Sequence, residues 1–102
     1  MARNTITLEK EIEQKAIRSA DQQFGCIQLK MYEQFWPDRL VLMQGGRAIF
    51  VEFKRPGGRL SQGQKIQFER IREQGFEVFV VYSVDEYLQV LSTVRSQNDS
   101  IK

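Results

Sequence analysis

The stretch from Trp36 to Gln64 constrains this chain most, because it sets acids and a lysine at fixed spacing on predicted strands. Asp38 precedes one strand, and Glu52 and Lys54 end the next, with Glu52 fourteen residues after Asp38. Two carboxylates can bind a hard divalent cation through oxygen. Such a cation can polarise a phosphodiester and activate water, and a lysine can orient that water or offset developing charge.

The hydrophobic pattern predicts the element order αβββαβα. The expected elements are a helix over 8–24, strands over 26–32, 39–43 and 47–54, a helix over 61–74, a strand over 77–82 and a helix over 84–94. This order predicts an α/β fold with a small mixed sheet flanked by helices. We expect one domain over residues 1–95 and a polar tail over 96–102. The nearly continuous apolar character of 77–82 predicts a strand buried on both faces.

Two acids of the first predicted helix fall inside its apolar stripe. The stripe consists of residues spaced by four, which are Leu8, Ile12, Ala16 and Ala20. Glu13 lies deeper in it than Glu9, and an ionised carboxylate there is costly unless it is paired or bound to a cation. Glu13 is therefore the first candidate metal ligand on this helix and Glu9 the alternative. An acid near a helix start is also favoured by the helix dipole alone.

Further polar residues have both a chemical and a structural interpretation. Glu52 and Lys54 project from the same strand face, where they could serve catalysis or form a simple ion pair. Asp38 could be a ligand or only a turn acid. Gln64 lies on the buried face of the second predicted helix, three residues after Ser61. It could orient a ligand or a phosphate, or it could complete a capping box with Ser61.

The composition excludes several classes of chemistry. The chain has no histidine, which removes histidine bases, histidine-activated nucleophiles and histidine-bound metals. With one cysteine, Cys26, it has no intramolecular disulfide and no cysteine cluster for zinc. A bound metal would have oxygen ligands, which favours magnesium, manganese or calcium. No signal peptide or membrane-spanning apolar run is evident, so we expect a cytoplasmic protein without membrane contact.

The charge is distributed unevenly, although the formal net charge is only +2. Residues 54–72 carry six basic side chains against one acid, Glu69. A local positive excess beside candidate metal ligands favours a polyanionic substrate, although a solvated helix face is the alternative. We expect Arg55, Arg59 and Lys65 to hold flanking phosphates of such a substrate, which gives affinity without base recognition.

Four segments together resemble the VRR-NUC domain, the virus-type replication-repair nuclease branch of the PD-(D/E)xK superfamily. They are Trp36–Leu42, Gly46–Lys54, Leu60–Gln64 and Gly75–Val81. The resemblance extends from about residue 9 to about residue 91. It implies a restriction-endonuclease-like αβββαβ core and an endonuclease that hydrolyses DNA with Mg²⁺ or Mn²⁺. It also implies a homodimer of the stand-alone phage or bacterial type, nicking duplexes or cutting four-way junctions.

The resemblance also assigns roles to individual residues. Asp38 and Glu52 match the metal ligands, Lys54 the catalytic lysine, Gln64 the family's glutamine, and Glu13 the acid of the first helix. We add the backbone carbonyl of the residue between Glu52 and Lys54. The full ligand set is then Glu13, Asp38, Glu52 and Phe53, and the catalytic set is Asp38, Glu52, Lys54 and Gln64.

The sequence departs from the family pattern just before the Pro-Asp pair. Phe35 and Trp36 stand where the family usually has a glycine followed by a small or β-branched residue, a departure that we expect to alter the substrate entrance or the dimer contact. Together with Ile66, which lies off the apolar stripe of its helix, they are candidates for an exposed apolar interface. Two other functions remain open: a non-catalytic DNA-binding module of the same fold and a protein-interaction domain.

Overall fold

The computed structural model describes residues 5–101, and side chains over 8–97. Its elements are α1 (Thr5–Gln23), β1 (Ile27–Lys30), β2 (Arg39–Met43), β3 (Arg47–Phe53), α2 (Gln62–Glu73), β4 (Glu77–Val81) and α3 (Val84–Ile101). The predicted order αβββαβα is confirmed. Within the described residues, no helix is long and apolar enough to cross a membrane.

Three elements differ from the prediction by more than one residue at an end: α1 begins at Thr5 instead of residue 8, and β1 and α3 also differ. β1 is shorter than expected, and α3 continues to Ile101 instead of ending near Val94. Residues 96–101, which we expected in a polar tail, are therefore helical, because no glycine or proline interrupts the helix after Val94. Met1–Asn4 and Lys102, at the two ends of the predicted domain and tail, lie outside the described residues.

The four strands form one mixed sheet in the order β1-β2-β3-β4. β1, β2 and β3 pair antiparallel, and β4 pairs parallel with β3 after the α2 crossover. Gly45 and Gly46 turn β2 into β3 with φ values of 86° and 80°, which glycine adopts without steric cost. Arg39 pairs with Val51, so continuing this ladder by one residue places Asp38 opposite Glu52.

Helices cover the two faces of the sheet unequally. α1 and α3 pack on one face around a large core that includes Val41, Ile49, Val51 and Tyr87. On the other face α2 packs Phe68 and Ile71 against Phe50 of β3 and Val78 of β4, leaving β1 uncovered. β4 has buried residues facing both sides, as predicted. Ile27, Leu29 and Leu42 remain exposed on the uncovered part.

Candidate active site

Asp38 and Glu52 meet where β2 begins and β3 ends. Pro37, which is fully buried, fixes the chain just before β2. The Asp38 carboxylate then accepts a hydrogen bond from the backbone N–H of Phe53, with 2.8 Å between N and Oδ2. Because the ladder sets Asp38 opposite Glu52, both carboxylates face the same end of the sheet.

Glu52 is buried, with 4% of its surface exposed. Its Oε2 lies 3.4 Å from Lys54 Nζ and accepts a hydrogen bond from Gln64 Nε2 at 3.2 Å. Its Oε1 is buried and has no hydrogen-bond partner. Burial raises the pKa of Glu52 to about 7, and the charge of Asp38 adds to this rise, while Lys54 and Gln64 oppose it.

The pKa of Asp38 is raised as well, chiefly by burial. The hydrogen bond from Phe53 lowers it, the charge of Glu13 raises it, and Lys30 and Lys54 lower it. Two neighbouring carboxylates, Glu52 buried and Asp38 half-buried, that both resist ionisation form a site with too little positive charge. A cation bound between them would remove that deficit.

A divalent cation fits the donor atoms of this site. The unpaired Oε1 of Glu52 is an oxygen donor in a buried position, where a polar atom without a partner is costly. Magnesium and manganese prefer carboxylate and carbonyl oxygens. Within residues 5–101 no group of three or more His, Cys, Asp or Glu side chains is arranged to hold a metal. The two carboxylates would therefore need a backbone oxygen, for which the Phe53 carbonyl is the predicted donor.

Gln64 forms the capping box that the sequence presented as one of its two roles, and its side chain also contacts Glu52. Its side-chain Oε1 accepts a hydrogen bond from the backbone N–H of Ser61 at 2.9 Å, and its backbone N–H donates to Ser61 Oγ at 3.1 Å. These two bonds form the capping box of α2. The side-chain Nε2 of Gln64 donates to Glu52. The helix cap thereby orients a donor toward the site.

Glu13 reaches the site through a lysine. It is only 7% exposed, and its Oε2 lies 2.9 Å from Lys30 Nζ and 2.7 Å from Arg39 Nε. Lys30 Nζ also lies 3.8 Å from Asp38 Oδ1, so the ammonium stands between the two carboxylates. The buried acid predicted on α1 is thus present and paired.

Lys30 and Arg39 are partners of Glu13 that the sequence did not predict. The pattern does indicate that Glu13 needs such a partner, because a carboxylate in an apolar stripe requires a nearby cation. Both residues pair with each other across β1 and β2, on the sheet face that α1 covers. Glu9, the alternative acid, lies elsewhere: its Oε1 is 3.4 Å from the backbone N of Arg55, just after β3.

Two of the predicted phosphate-binding residues, Arg55 and Arg59, lie on the segment that joins Lys54 to Gln64, and Lys65 follows Gln64 in α2. Arg55 is half-buried and donates from Nη1 to the carbonyl of Pro56 at 3.2 Å. Arg59 and Lys65 are exposed. All three follow Glu52 along the chain, within thirteen residues of it.

A mixed four-stranded sheet with a buried Glu52 beside Asp38 and Lys54 at one end is a nuclease-type fold. Residues 36–85 match the model of the VRR-NUC domain family, and these residues include all four predicted catalytic positions. A solved structure titled "VRR_NUC domain" is similar to this chain, with a TM-score of 0.72 and 26% sequence identity, covering 82% of this chain and 94% of that one. The chain belongs to the VRR-NUC family. No curated protein matches it.

Proposed function

We propose that this protein is a Mg²⁺- or Mn²⁺-dependent DNA endonuclease that hydrolyses phosphodiester bonds. The observation that carries the proposal is the buried, unpaired Oε1 of Glu52 beside Asp38. If Glu52 served only in an ion pair, both of its carboxylate oxygens would have partners, because a buried oxygen without a hydrogen bond costs free energy. A cation supplied with the substrate would satisfy it.

The cation would be held by Asp38, Glu52 and the carbonyl of Phe53. When bound, it would act as a Lewis acid on the phosphodiester and lower the pKa of a water molecule. Lys54, 12% exposed at its side chain and beside Glu52, would hold the attacking water in line or neutralise charge developing on the phosphate. Gln64 would keep the Glu52 carboxylate in a fixed orientation.

Glu13 is a candidate for a further ligand. Its two oxygens contact Lys30 and Arg39, and Lys30 is also close to Asp38. To reach a cation beside Asp38, the Glu13 carboxylate would have to exchange the Lys30 ammonium for the metal. This exchange would raise the local positive charge by one, because a divalent cation would replace a monovalent ammonium between the same two acids.

The substrate that fits the surrounding charge is DNA. Arg55, Arg59 and Lys65 would contact phosphates on either side of the scissile bond, giving affinity that falls with added salt. We expect this activity in the cytoplasm of a bacterium, or of a host that carries the protein as a phage product.

We further propose a homodimer that nicks duplexes or cuts four-way junctions. Of the predicted interface residues, Phe35 and Ile66 are 45% and 55% exposed, respectively. Trp36 differs from the prediction: it is half-buried and packs edge-on to Phe50 at 5.8 Å between ring centroids. The exposed face of β1 and β2, with Ile27, Leu29 and Leu42, is a separate apolar surface that would form the dimer contact without Phe35. A two-fold dimer would set two sites against two strands, which matches junction symmetry.

The direct test is incubation of the protein with supercoiled plasmid and with a synthetic four-way junction, with Mg²⁺, with Mn²⁺ and with a chelator. Metal-dependent cleavage that is lost in Asp38→Asn, Glu52→Gln and Lys54→Met, and kept in the exposed control Asp85→Asn, supports the nuclease. Salt-sensitive DNA binding without cleavage would instead indicate the non-catalytic binding module. Absence of both would indicate the interaction domain.

A further inference from the structure

Phe35 has a backbone conformation that is unfavourable for its side chain. It lies at the third position of a turn closed by a hydrogen bond from Trp36 N to the carbonyl of Glu33 at 3.2 Å. Its φ is 68°, the only positive φ of a non-glycine residue in the part of the chain that the structure describes. Glycine or asparagine is the usual residue there, because a bulky side chain is strained.

The Phe35 ring is held against the first turn of α2. A Cβ added at Gly63 would lie 2.6 Å from ring atoms Cδ1 and Cε1, so only glycine leaves room for the ring. The next residue, Gln64, donates to Glu52. Phe35 also stands three residues before Asp38. The ring therefore lies at the rim of the candidate active site, bounded by two of its elements.

Packing in the hydrophobic core does not account for the position of the Phe35 ring. Trp36, its neighbour, packs against Phe50 in the core cluster beneath α2, whereas Phe35 belongs to neither core cluster and remains 45% exposed. The partial burial of a ring that remains 45% exposed is a small gain beside the strain of the turn. A strained, exposed aromatic residue next to catalytic groups is a feature that function explains better than folding.

We propose that Phe35 stacks on an unpaired base of the DNA beside the bond to be cut. This inference rests on the proposed nuclease function and specifies its substrate class. Stacking on an aromatic side chain is insensitive to base identity, because every base has a π-face. In a continuous duplex the base must first leave the stack, at a cost in free energy, whereas a branch, flap or gap already presents one. Phe35 thus selects DNA by structure.

The test is a double-mutant cycle that combines a substitution of Phe35 with removal of the unpaired base. DNA affinity is measured in the presence of a chelator, so that cleavage is not required. The DNA is a nicked duplex with one unpaired nucleotide at the nick, and the same duplex with an abasic nucleotide there. Base removal should weaken wild-type binding about ten-fold. Phe35→Gly should bind both DNAs equally, at the affinity of the wild type for the abasic DNA.

Two further variants and a cleavage assay make the result specific. Phe35→Tyr should restore the response to the base, and Phe35→Leu, which is apolar without a ring, should not. In Mg²⁺, Phe35→Gly should lose about ten-fold in the ratio of unpaired-base to continuous-duplex cleavage. Phe35→Gly should also unfold at the same temperature as the wild type or higher, because glycine relieves the turn.

Three outcomes would overturn the proposal. One is that removing the base weakens DNA binding equally in the wild type and in Phe35→Gly. Another is that Phe35→Gly loses cleavage to the same extent on all substrates. The third is a Phe35→Gly protein that becomes monomeric by light scattering where the wild type is a dimer, since the ring would then be a subunit contact. A wild type that never cleaves would refute the nuclease function alone, because the binding cycle would still report on the ring.

Discussion

The side-chain amide of Gln64 connects the cap of α2 to the carboxylate of Glu52. Its Oε1 accepts from Ser61 N at 2.9 Å, while its Nε2 donates to Glu52 Oε2 at 3.2 Å. The position of the helix and the orientation of a buried acid therefore depend on one side chain. Substitutions that affect only one end of this amide should separate the two effects.

Gln64→Glu and Ser61→Ala should have opposite consequences. Glutamate can still complete the capping box, so Gln64→Glu should fold normally. It places a second carboxylate against Glu52, however, and should reduce cleavage at least about ten-fold, a loss equivalent to about 1.4 kcal/mol. Ser61→Ala removes the cap and should lower stability by about 1 kcal/mol, with cleavage near wild type. Urea unfolding and initial cleavage rates measure the two effects. A fully active Gln64→Glu would contradict the role given to the amide.

The raised pKa of Glu52 predicts how the metal-free protein responds to pH. A carboxyl with a folded-state pKa of about 7 and an ordinary value of 4.5 binds its proton more tightly in the folded state. Its contribution to stability is complete below about pH 4.5 and is lost as pH rises through 7. This loss amounts to at most about 3 kcal/mol. Asp38, whose pKa is also raised, acts in the same direction.

Urea unfolding in a chelator at pH 5 and pH 8 tests this linkage. Wild type should be less stable at pH 8, and Glu52→Gln should lose most of that difference, while Asp85→Asn keeps it. Mn²⁺ should restore stability at pH 8 more than at pH 5, because cation binding requires the ionised carboxylates. The linkage is refuted by equal pH dependence in wild type and Glu52→Gln.

Much of this site could be predicted from the chain because its geometry is local. Strand alternation places Glu52 and Lys54 together, and a glycine turn between β2 and β3 sets the register that brings Asp38 opposite Glu52. The partners of Glu13 could not be predicted in the same way. Lys30 and Arg39 are separated from it by 17 and 26 residues, so their contacts depend on how α1 docks on the sheet.

Other differences also have a tertiary cause. Trp36 is predicted in an exposed apolar interface with Phe35 and Ile66, but it packs edge-on to Phe50 beneath α2 and is half-buried. The opposite occurs in β1, where Ile27 and Leu29 alternate as core residues do and yet remain exposed, because the apolar cluster beneath α2 includes residues of β2, β3 and β4 but none of β1. Periodicity identifies an apolar face, but not which part of a sheet a helix will cover.

Substitutions at Lys30 and Glu13 should reveal whether Glu13 binds metal. If it does, the Lys30 ammonium competes with the cation, so Lys30→Met should raise Mn²⁺ affinity while Glu13→Gln lowers it. If Glu13 is only an ion-pair partner, Glu13→Gln should reduce stability, because Lys30 and Arg39 lose a buried acceptor, and leave Mn²⁺ affinity unchanged. Calorimetric titration with Mn²⁺ decides between these, with Glu9→Gln as the matched control on the same helix. A drop in affinity for Glu9→Gln alone would assign the ligand to Glu9.

The contact between Phe35 and Gly63 predicts that Gly63→Ala will destabilise the wild type but stabilise a protein that lacks the Phe35 ring. Gly63 lies in the first turn of α2, where alanine would ordinarily stabilise the helix by up to about 1 kcal/mol. In the wild type, however, the added methyl would meet the Phe35 ring at 2.6 Å, so Gly63→Ala should destabilise the protein and displace the ring. In a Phe35→Gly background the obstacle is gone, and the same substitution should stabilise. Chemical denaturation of the four proteins measures the coupling between the two sites. Equal effects of Gly63→Ala in both backgrounds would mean that the ring does not rest on α2 in solution.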